Sequence, residues 1–349
     1  MQWSTGGVGA IALRAIARRP DLELVGVFVH SPAKAGREAG ELAGIAPLGI
    51  RASSDVAALL ALKPDCICYC ASGEARPAAC IDDFCRMLAA GINVVTTSVP
   101  GLVHPAAFDA KHVARLEAAC RAGGASLYAS GIEPGFAADQ LVLTLATLSR
   151  TIRSLRTQEI FSYANYPVAF TMFEVFGFGK PPGARCLMEL PGVQSSSWAP
   201  PVRMVADALG VSLDGIRETY EKRITERRLE VAAGVIEAGT VGAVRFETIG
   251  VVAGRDAIAI EHVNRMAADL APDWPNAARD GTYRIVFDGE PSLACELQLG
   301  SPADFSEQGM IATAMRVVNA IPYACDARPG LLASTDLPVT LPRFAFEAD

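Results

Sequence analysis

The sequence predicts a two-part α/β chain, in which a doubly wound parallel sheet is followed by an α+β region built on a mostly antiparallel sheet. Three observations predict it. Strand-like and helix-like runs alternate from residue 1 to about residue 130. Strand-like runs with few helices between them then fill residues 154–299. A glycine-rich turn opens the chain between its first strand and its first helix. With 349 residues, 51% of them hydrophobic and 20% charged, the chain can build two domains with a core in each. The formal charge of −7 comes with arginines scattered through helical stretches, which speaks against nucleic acid as a partner. No apolar run approaches the roughly 18 residues that cross a bilayer, and no leader is visible at the start, so the expectation is a cytoplasmic protein without a membrane partner.

The opening turn reads Trp3-Ser4-Thr5-Gly6-Gly7-Val8-Gly9-Ala10. Ser4, Gly6 and Gly9 hold the three glycine positions of a dinucleotide fingerprint, and Ala10, Leu13 and Ala17 give the next helix an apolar face. Ser4, Gly6, Gly7, Val8 and Gly9 thus form a pyrophosphate cradle. Gly6 lets the backbone approach the phosphates, Gly9 lets the helix pack on the sheet, and the helix N-terminus supplies N–H groups and partial positive charge. Ser4 departs from the pattern, since serine reaches a positive φ less easily than glycine. Residues 22–29 read as the next strand and close a βαβ unit, which makes this a Rossmann domain.

His30-Ser31-Pro32-Ala33-Lys34 follows, with no acidic residue where a NAD site places one on the ribose hydroxyls. His30, Ser31, Lys34 and Arg37 instead offer donors and positive charge suited to a 2′-phosphate. NADP(H) is therefore the preferred cofactor and NAD(H) a possible one. A solvated basic loop is the competing reading.

A helix at 55–62, a strand at 65–70, a helix at 78–90 stopped by Gly91, and a strand at 92–97 come next. A helix at 106–122 and a strand at 125–130 complete the alternation. Ligands of open parallel sheets bind beyond the carboxyl ends of the strands, which puts Cys70, Ala71 and Thr97 at the nicotinamide end. Nine cysteines, an odd number with no Cys-x-x-Cys pair and no histidine at ligand spacing, read as reduced residues without a metal. Cys66, Cys68 and Cys70 alternate along one strand and face one side of it. After a helix at 137–148, strand-like runs fall at 154–163, 229–236, 241–252, 257–263, 282–287 and 292–299. Helices are expected at 170–176, 202–209 and 213–221, and a last one at 310–321, ended by Pro322.

With the fingerprint, Tyr69-Cys70-Ala71-Ser72 and Gly131-Ile132-Glu133-Pro134-Gly135-Phe136, the chain resembles the dihydrodipicolinate-reductase-like superfamily. Within it, the likeness is to the NAD(P)H-dependent amine dehydrogenases and the 2,4-diaminopentanoate dehydrogenase group. It extends over Phe173-Glu174-Val175-Phe176-Gly177-Phe178-Gly179, Glu261-His262-Val263-Asn264-Arg265-Met266 and Ala314-Met315-Arg316-Val317-Val318-Asn319-Ala320-Ile321-Pro322. The resemblance implies a nucleotide domain at residues 1–136 and an α+β domain at 137–308 that carries the substrate pocket and a homodimer contact. It implies further that residues 309–349 form a helix and tail returning to the Rossmann domain. Asn319, on that returning helix, is expected to approach the nicotinamide.

Two departures bear on the substrate. Dihydrodipicolinate reductases carry a His-His pair and a Lys where this chain reads Gln158-Glu159-Ile160-Phe161-Ser162-Tyr163-Ala164-Asn165-Tyr166. Phe161, Tyr163, Tyr166, Phe173 and Phe176 would instead line an aromatic pocket for a small, mostly apolar carbonyl compound or amine. Amine dehydrogenases of the resembled group place a glutamate where this chain has Ser98-Val99-Pro100.

A nicotinamide reaction at C=O or C=N also needs a group that handles the proton or holds the iminium charge. Glu133, on the loop that ends a strand at the nicotinamide edge, is the first candidate, with a carboxylate paired to an arginine such as Arg156 as the competing reading. His262 is the second candidate, because imidazole titrates near neutral pH and the resemblance points it into the substrate cavity. The expected function is an oxidoreductase of the amine dehydrogenase type, performing reductive amination. A C=O or C=N reductase that does not use free ammonia, and an NADP-binding protein without turnover, are the alternatives.

Overall fold

The computed structural model describes residues 1–73, 76–301 and 303–346. The chain begins with β1 (Gln2–Trp3), α1 (Gly7–Arg18), β2 (Val27–Phe28), α2 (Ala39–Ala43), α3 (Val56–Leu60) and β3 (Cys66–Tyr69), and continues with α4 (Pro77–Ala89), β4 (Asn93–Thr96), α5 (Ala110–Gly123) and β5 (Ser126–Ala129). Then come α6 (Gln140–Ala146), β6 (Thr151–Ser162), α7 (Val193–Ala208), β7 (Gly215–Ile224), β8 (Leu229–Val231), β9 (Gly234–Ile236), β10 (Val241–Val252), β11 (Arg255–Arg265), β12 (Thr282–Glu290) and β13 (Leu293–Gln298). The last elements are α8 (Phe305–Asp326) and β14 (Gly330–Leu332). Two compact units result, one of Met1–Phe136 together with the chain from Met310 onward, the other of Ala137–Gly309. Among the described residues, no helix is long and apolar enough to cross a membrane.

The first unit holds a six-stranded sheet in the order β14-β5-β4-β3-β1-β2, with every pair parallel. A sheet buried on both faces needs two cores. On one face Trp3, Ile67, Tyr69, Phe84 and Met87 pack together, and on the other Ile11, Ile16, Cys66, Cys68, Cys70, Val317 and Val318. The three alternating cysteines therefore do share one side, as small apolar residues. Strand order reverses at β1, which lies between β2 and β3, so the turn after β1 stands at the switch point where open sheets bind ligands. The strand expected over residues 22–29 shrinks to two residues. Its one neighbouring strand is β1, which offers just Gln2 and Trp3 as partners, and on the other side Phe28 makes a single bridge to Ser53.

In the second unit the sheet order is β13-β12-β6-β11-β10-β7, antiparallel except for β6 with β11. Leu155, Ile258, Ile260, Ile285 and Phe287 lie on one face, packed with Val142, Val202 and Val205 of α6 and α7. The opposite face carries charge. β8 and β9 form a separate hairpin.

Four helix expectations need correction. The stretch 213–221 leads into the edge strand β7 (Gly215–Ile224) rather than a helix; Arg217, Thr219, Glu221 and Arg223 line the charged face, and polar residues on both sides hide the period of two. Residues 170–175 make one wide helical turn, and the helix expected at 202–209 is the second half of α7, which continues through Pro200 and Pro201. Likewise α8 runs past Pro322 to Asp326, since buried Ala324 continues beyond the proline the apolar stripe of Val317, Ala320 and Ile321.

Candidate functional site

In the first unit, the loop after β1 has the shape the fingerprint predicts. Ser4 takes φ +78°, so the serine sits in the left-handed conformation that glycine fills in the pattern. At Gly9 any Cβ would stand 2.4 Å from the Ser4 carbonyl oxygen, so only glycine lets the helix start this close to the loop. Gly6 faces open space, with nothing within 4 Å of where its Cβ would be. It caps α1, whose first N–H groups, on Gly7, Val8 and Gly9, have no acceptor inside the helix. These features fit a diphosphate.

Lys34 reaches back to this loop, where its Nζ donates to the Thr5 carbonyl oxygen at 2.9 Å and to Thr5 Oγ1 at 3.3 Å. Ser31 is exposed at the start of a single turn over Pro32–Lys34. His30 Nε2 lies 2.9 Å from Arg76 Nη2. Burial, and then the Arg76 charge, lower the His30 pKa, so the imidazole is neutral and accepts from the guanidinium. Arg76 also donates to the Tyr69 hydroxyl at 3.3 Å. The sequence reading missed Arg76, which lies 46 residues from His30 and in no motif. Arg37, by contrast, is taken by Glu41 at 2.6 Å.

Beyond β4 and β5 the same unit has a hollow lined by Thr96, Thr97, Pro100, Ser130, Glu133 and Thr313 among others. Its floor is braced. Ser130 Oγ donates to the Gly135 carbonyl oxygen at 3.1 Å, Arg316 Nη2 to the same oxygen at 3.3 Å, and the Ile132 amide to Thr313 Oγ1 at 3.3 Å. Gly135 takes φ +125°, and a Cβ there would lie 2.2 Å from the Gly131 nitrogen. Half-buried Glu133 is thus carried on a loop fixed by α8. Arg156, offered as its pairing partner, instead binds Glu247 and Glu261 in the second unit.

Cys70 and Ala71 turn their side chains into the core. The Cys70 thiol meets Cys68 Sγ at 3.8 Å, and that contact, followed by those with Gln2 and Thr97, outweighs burial and lowers its pKa. Ser98 is a brace between loops, its Oγ donating to the Ala71 carbonyl oxygen at 2.5 Å while its amide donates to Thr96 Oγ1 at 3.0 Å. Asn319 contradicts its expectation. Its Oδ1 accepts from Arg19 Nη1 at 3.2 Å, and Arg19 caps the C-terminal end of α1, some 18 Å along the helix from the cradle by its rise of about 1.5 Å per residue.

The second unit assembles its polar site by register. Tyr283, Glu159, His262, Phe246 and Tyr220 form one row across β12, β6, β11, β10 and β7. Glu159 is 5% exposed and accepts from the Tyr163 hydroxyl at 2.8 Å, Asn264 Nδ2 at 3.1 Å and the Tyr283 hydroxyl at 3.2 Å. Burial, then the Glu159 charge, hold the Tyr163 phenol well above its usual pKa, so it remains a donor. His262 is stacked on Phe246 with centroids 4.4 Å apart and meets the Trp198 ring edge-on at 4.7 Å. One of its nitrogens lies within 4.8 Å of a Glu159 oxygen.

Around this row Phe161 packs on Tyr283, Tyr163 on Tyr166 and Phe176, and Phe176 on Phe246. Phe173 packs against the same apolar cluster as Phe176 and Phe246 and closes on Gly234 and Gly179, with 3.3 Å and 3.6 Å to a Cβ built at each. Glu159 is the residue the sequence reading passed over. The stretch holds no histidine or lysine, and apart from Tyr163 the partners of Glu159, Asn264 and Tyr283, lie more than 100 residues away, so nothing local marks the carboxylate.

A glycine cradle at the switch point of a parallel sheet, followed by an α+β unit on a mixed sheet, defines a NAD(P)-dependent oxidoreductase. Residues 136–345 match the family model of the 2,4-diaminopentanoate dehydrogenase C-terminal domain. The sequence is 38% identical over 342 residues to an amine dehydrogenase of Streptomyces virginiae, covering 97% of this chain and 95% of that one. It is 24% identical over 249 residues to the 2,4-diaminopentanoate dehydrogenase of Acetoanaerobium sticklandii, covering 71% and 67%. Its fold is shared with an amine dehydrogenase from Mycobacterium smegmatis, with a TM-score of 0.73 at 20% identity over 98% of this chain and 96% of that one. The chain belongs to the family of amine dehydrogenases and 2,4-diaminopentanoate dehydrogenases.

Proposed function

We propose that this chain is an NADP-preferring dehydrogenase that interconverts a small, mostly apolar carbonyl compound and its amine. The observation that carries the reading is Glu133, a carboxylate fixed beside the ends of β4 and β5 in the unit that holds the glycine cradle. The names of the related sequences support the amine, and the absence of an acid after β2 supports NADP. Gly6, Gly7, Val8 and Gly9 would hold the diphosphate, Lys34, Ser31 and His30 a 2′-phosphate, and Thr97 with the backbone of Cys70 and Ala71 the nicotinamide end. Bound there, the nicotinamide supplies or accepts the hydride.

In the oxidative direction the substrate ammonium gives up a proton, the C–H hydride leaves carbon, and water adds to the iminium to release ammonium and the carbonyl compound. Glu133 takes the first proton and passes it to water, so that its carboxylate is again ionised to hold the iminium charge, and His262 serves the protons of the water step. Phe161, Tyr163, Tyr166 and Phe176 supply the apolar surroundings. Cytoplasmic residence and a homodimer belong to the same proposal. The free thiols of the cysteines support the first, the family resemblance the second.

Ser98 favours a second reading, reduction of C=O or preformed C=N without free ammonia, because it stands where the resembled enzymes have a glutamate. NADPH consumption with a panel of small ketones, with and without ammonium, separates the two. Consumption that requires ammonium is expected, and equal rates without it sink the amination. Lys34→Ala is expected to weaken NADPH about tenfold, the worth of a charged hydrogen bond, and to leave NADH nearly unchanged. An equal loss for both would make Lys34 a brace of the Thr5 loop and overturn the NADP preference.

A further inference from the structure

The glycine cradle is flanked by a cation from each neighbouring strand, Lys34 after β2 and Arg76 after β3. Tyr69, Trp3 and Phe28 form one row across β3, β1 and β2, with ring centroids 5.7 Å apart from Tyr69 to Trp3 and 3.8 Å from Trp3 to Phe28. His30 stands two residues beyond Phe28, which puts it on the same side of the sheet, and its ring meets Phe28 edge-on at 4.7 Å. Arg76 Nη2 donates to His30 Nε2 at 2.9 Å and to the Tyr69 hydroxyl at 3.3 Å. One nitrogen thus joins side chains from the two strands that flank β1, beside the loop that begins at Ser4. Its backbone is anchored as well. The Arg76 amide donates to the Gly73 carbonyl oxygen at 3.1 Å, and Gly73 lies so close to the Ser98 carbonyl that no Cβ would fit.

Both of these acceptors are neutral, so neither offsets the charge of the guanidinium. Burial and the Arg76 charge lower the His30 pKa, while burial and then the Cys80 thiol raise that of the Tyr69 phenol, which passes its proton toward Asp83 at 2.8 Å. Accepting at Nε2 leaves the one proton of a neutral imidazole on Nδ1, as a further donor. Arg76 is half-buried and His30 exposed, so the pair opens to solvent. A held cation with a second N–H beside it, at the adenosine side of a dinucleotide cradle, matches a phosphate monoester.

We propose that Arg76 and His30 clamp the 2′-phosphate of NADP(H), with Arg76 Nη1 and His30 Nδ1 donating to its oxygens and the guanidinium supplying the charge. This rests on the NADP preference proposed above and deepens it, because Arg76 joins Lys34 in setting the choice between NADP(H) and NAD(H). The clamp closes across β1, from residues 46 positions apart in the chain.

The test uses the full chain, titrated calorimetrically with 2′,5′-ADP and, separately, with 5′-ADP, which differ only in the 2′-phosphate. Arg76→Gln keeps a donor for His30 and removes the charge, and is expected to weaken 2′,5′-ADP at least tenfold while changing 5′-ADP less than twofold. Arg76→Lys keeps the charge without the planar group and is expected to fall between wild type and Arg76→Gln. Equal loss of both nucleotides would make Arg76 a brace for the start of α4, and an unchanged affinity for 2′,5′-ADP in Arg76→Gln would place the phosphate elsewhere; either overturns the clamp. If the wild type prefers NADP+ to NAD+ and Arg76→Gln keeps that preference, the clamp falls and the NADP reading stands on Lys34. If the wild type binds NADP+ and NAD+ alike, yet Arg76→Gln loses 2′,5′-ADP alone, the clamp stands and the preference falls.

Discussion

The two units carry their chemistry in different places. In the first, the sheet is buried on both faces, its strands read as apolar runs, and every polar candidate sits on a loop at a strand end: Ser4 to Gly9, Lys34, Thr97, Glu133. In the second, the candidates sit on the strands themselves, and successive residues serve opposite ends. Glu159 and His262 face the helices, while one residue back Gln158 and Glu261 join Arg284, Glu296 and Glu247 in a charged row on the other face. A loop can be reshaped one residue at a time; a strand row cannot, because shifting it by one residue exchanges the reactive face for the ion-paired one.

The largest expected effect tests the loop side of that contrast. Glu133→Gln keeps the size and the loop anchors from Thr313 and Arg316, and should lower kcat by about 100-fold or more with NADPH affinity within twofold, as removal of a proton-handling group does. Stopped-flow turnover with a matched binding titration measures both. Near-wild-type kcat would leave the strand-borne groups alone with the proton.

Next in size is the row behind Glu159. Burial alone would raise the Glu261 carboxyl, but the Gln158 amide, then Arg156 and Arg245, outweigh it and hold its pKa below the ordinary 4.5. Both arginines lie 2.7 Å from Glu261, itself 1% exposed. Breaking such a buried pair leaves uncompensated charge, so Glu261→Gln should cost roughly 3 kcal/mol near neutral pH, toward the low end because the arginines are partly solvated. A depressed folded pKa contributes stability above the unfolded value and loses it as pH falls through the folded one. The gap between wild type and variant in denaturant unfolding should therefore close below pH 4.5. A gap unchanged down to pH 3 would mean that the row is held by packing and not by charge.

This contrast also governs what the sequence could say. The cradle was readable because its parts are adjacent: Ser4, Gly6 and Gly9 span six residues, and a Cβ at Gly9 would strike Ser4 itself. The alternation of the parallel sheet and the family motifs were readable for the same reason. Glu159 was not, since its meaning comes from His262 and Tyr283, aligned only once β6 pairs with β11 and β12. Arg76 and Thr313 were invisible on the same ground. β7 was misread as a helix because an edge strand with charge on one face and Tyr220 on the other lacks the apolar alternation that marks a strand. Asn319 is expected at the nicotinamide from the returning helix, but its hydrogen bond to Arg19 holds it at the far end of α1.

The smallest effect sharpens the reading of the cradle. Ser4 holds φ +78° against a left-handed cost of about 1–2 kcal/mol for a residue with a Cβ. Glycine at that position would escape the cost but enter the unfolded state with more freedom, a loss of roughly 0.5–1 kcal/mol. The difference predicts that Ser4→Gly stabilises the chain by about 0.5 kcal/mol, measured as a rise in denaturation midpoint at constant slope. The backbone contacts that shape the turn, Gln2 Nε2 to the Ser4 carbonyl oxygen at 2.9 Å and the Ser4 amide to the Phe28 carbonyl oxygen at 2.9 Å, do not involve the side chain. Cofactor affinity should accordingly stay within twofold, with serine acting as a strained stand-in for the fingerprint's glycine. If NADPH binding weakens while stability rises, the hydroxyl itself contacts the nucleotide, and the strain at Ser4 is the cost of keeping that contact on a loop rather than on a strand.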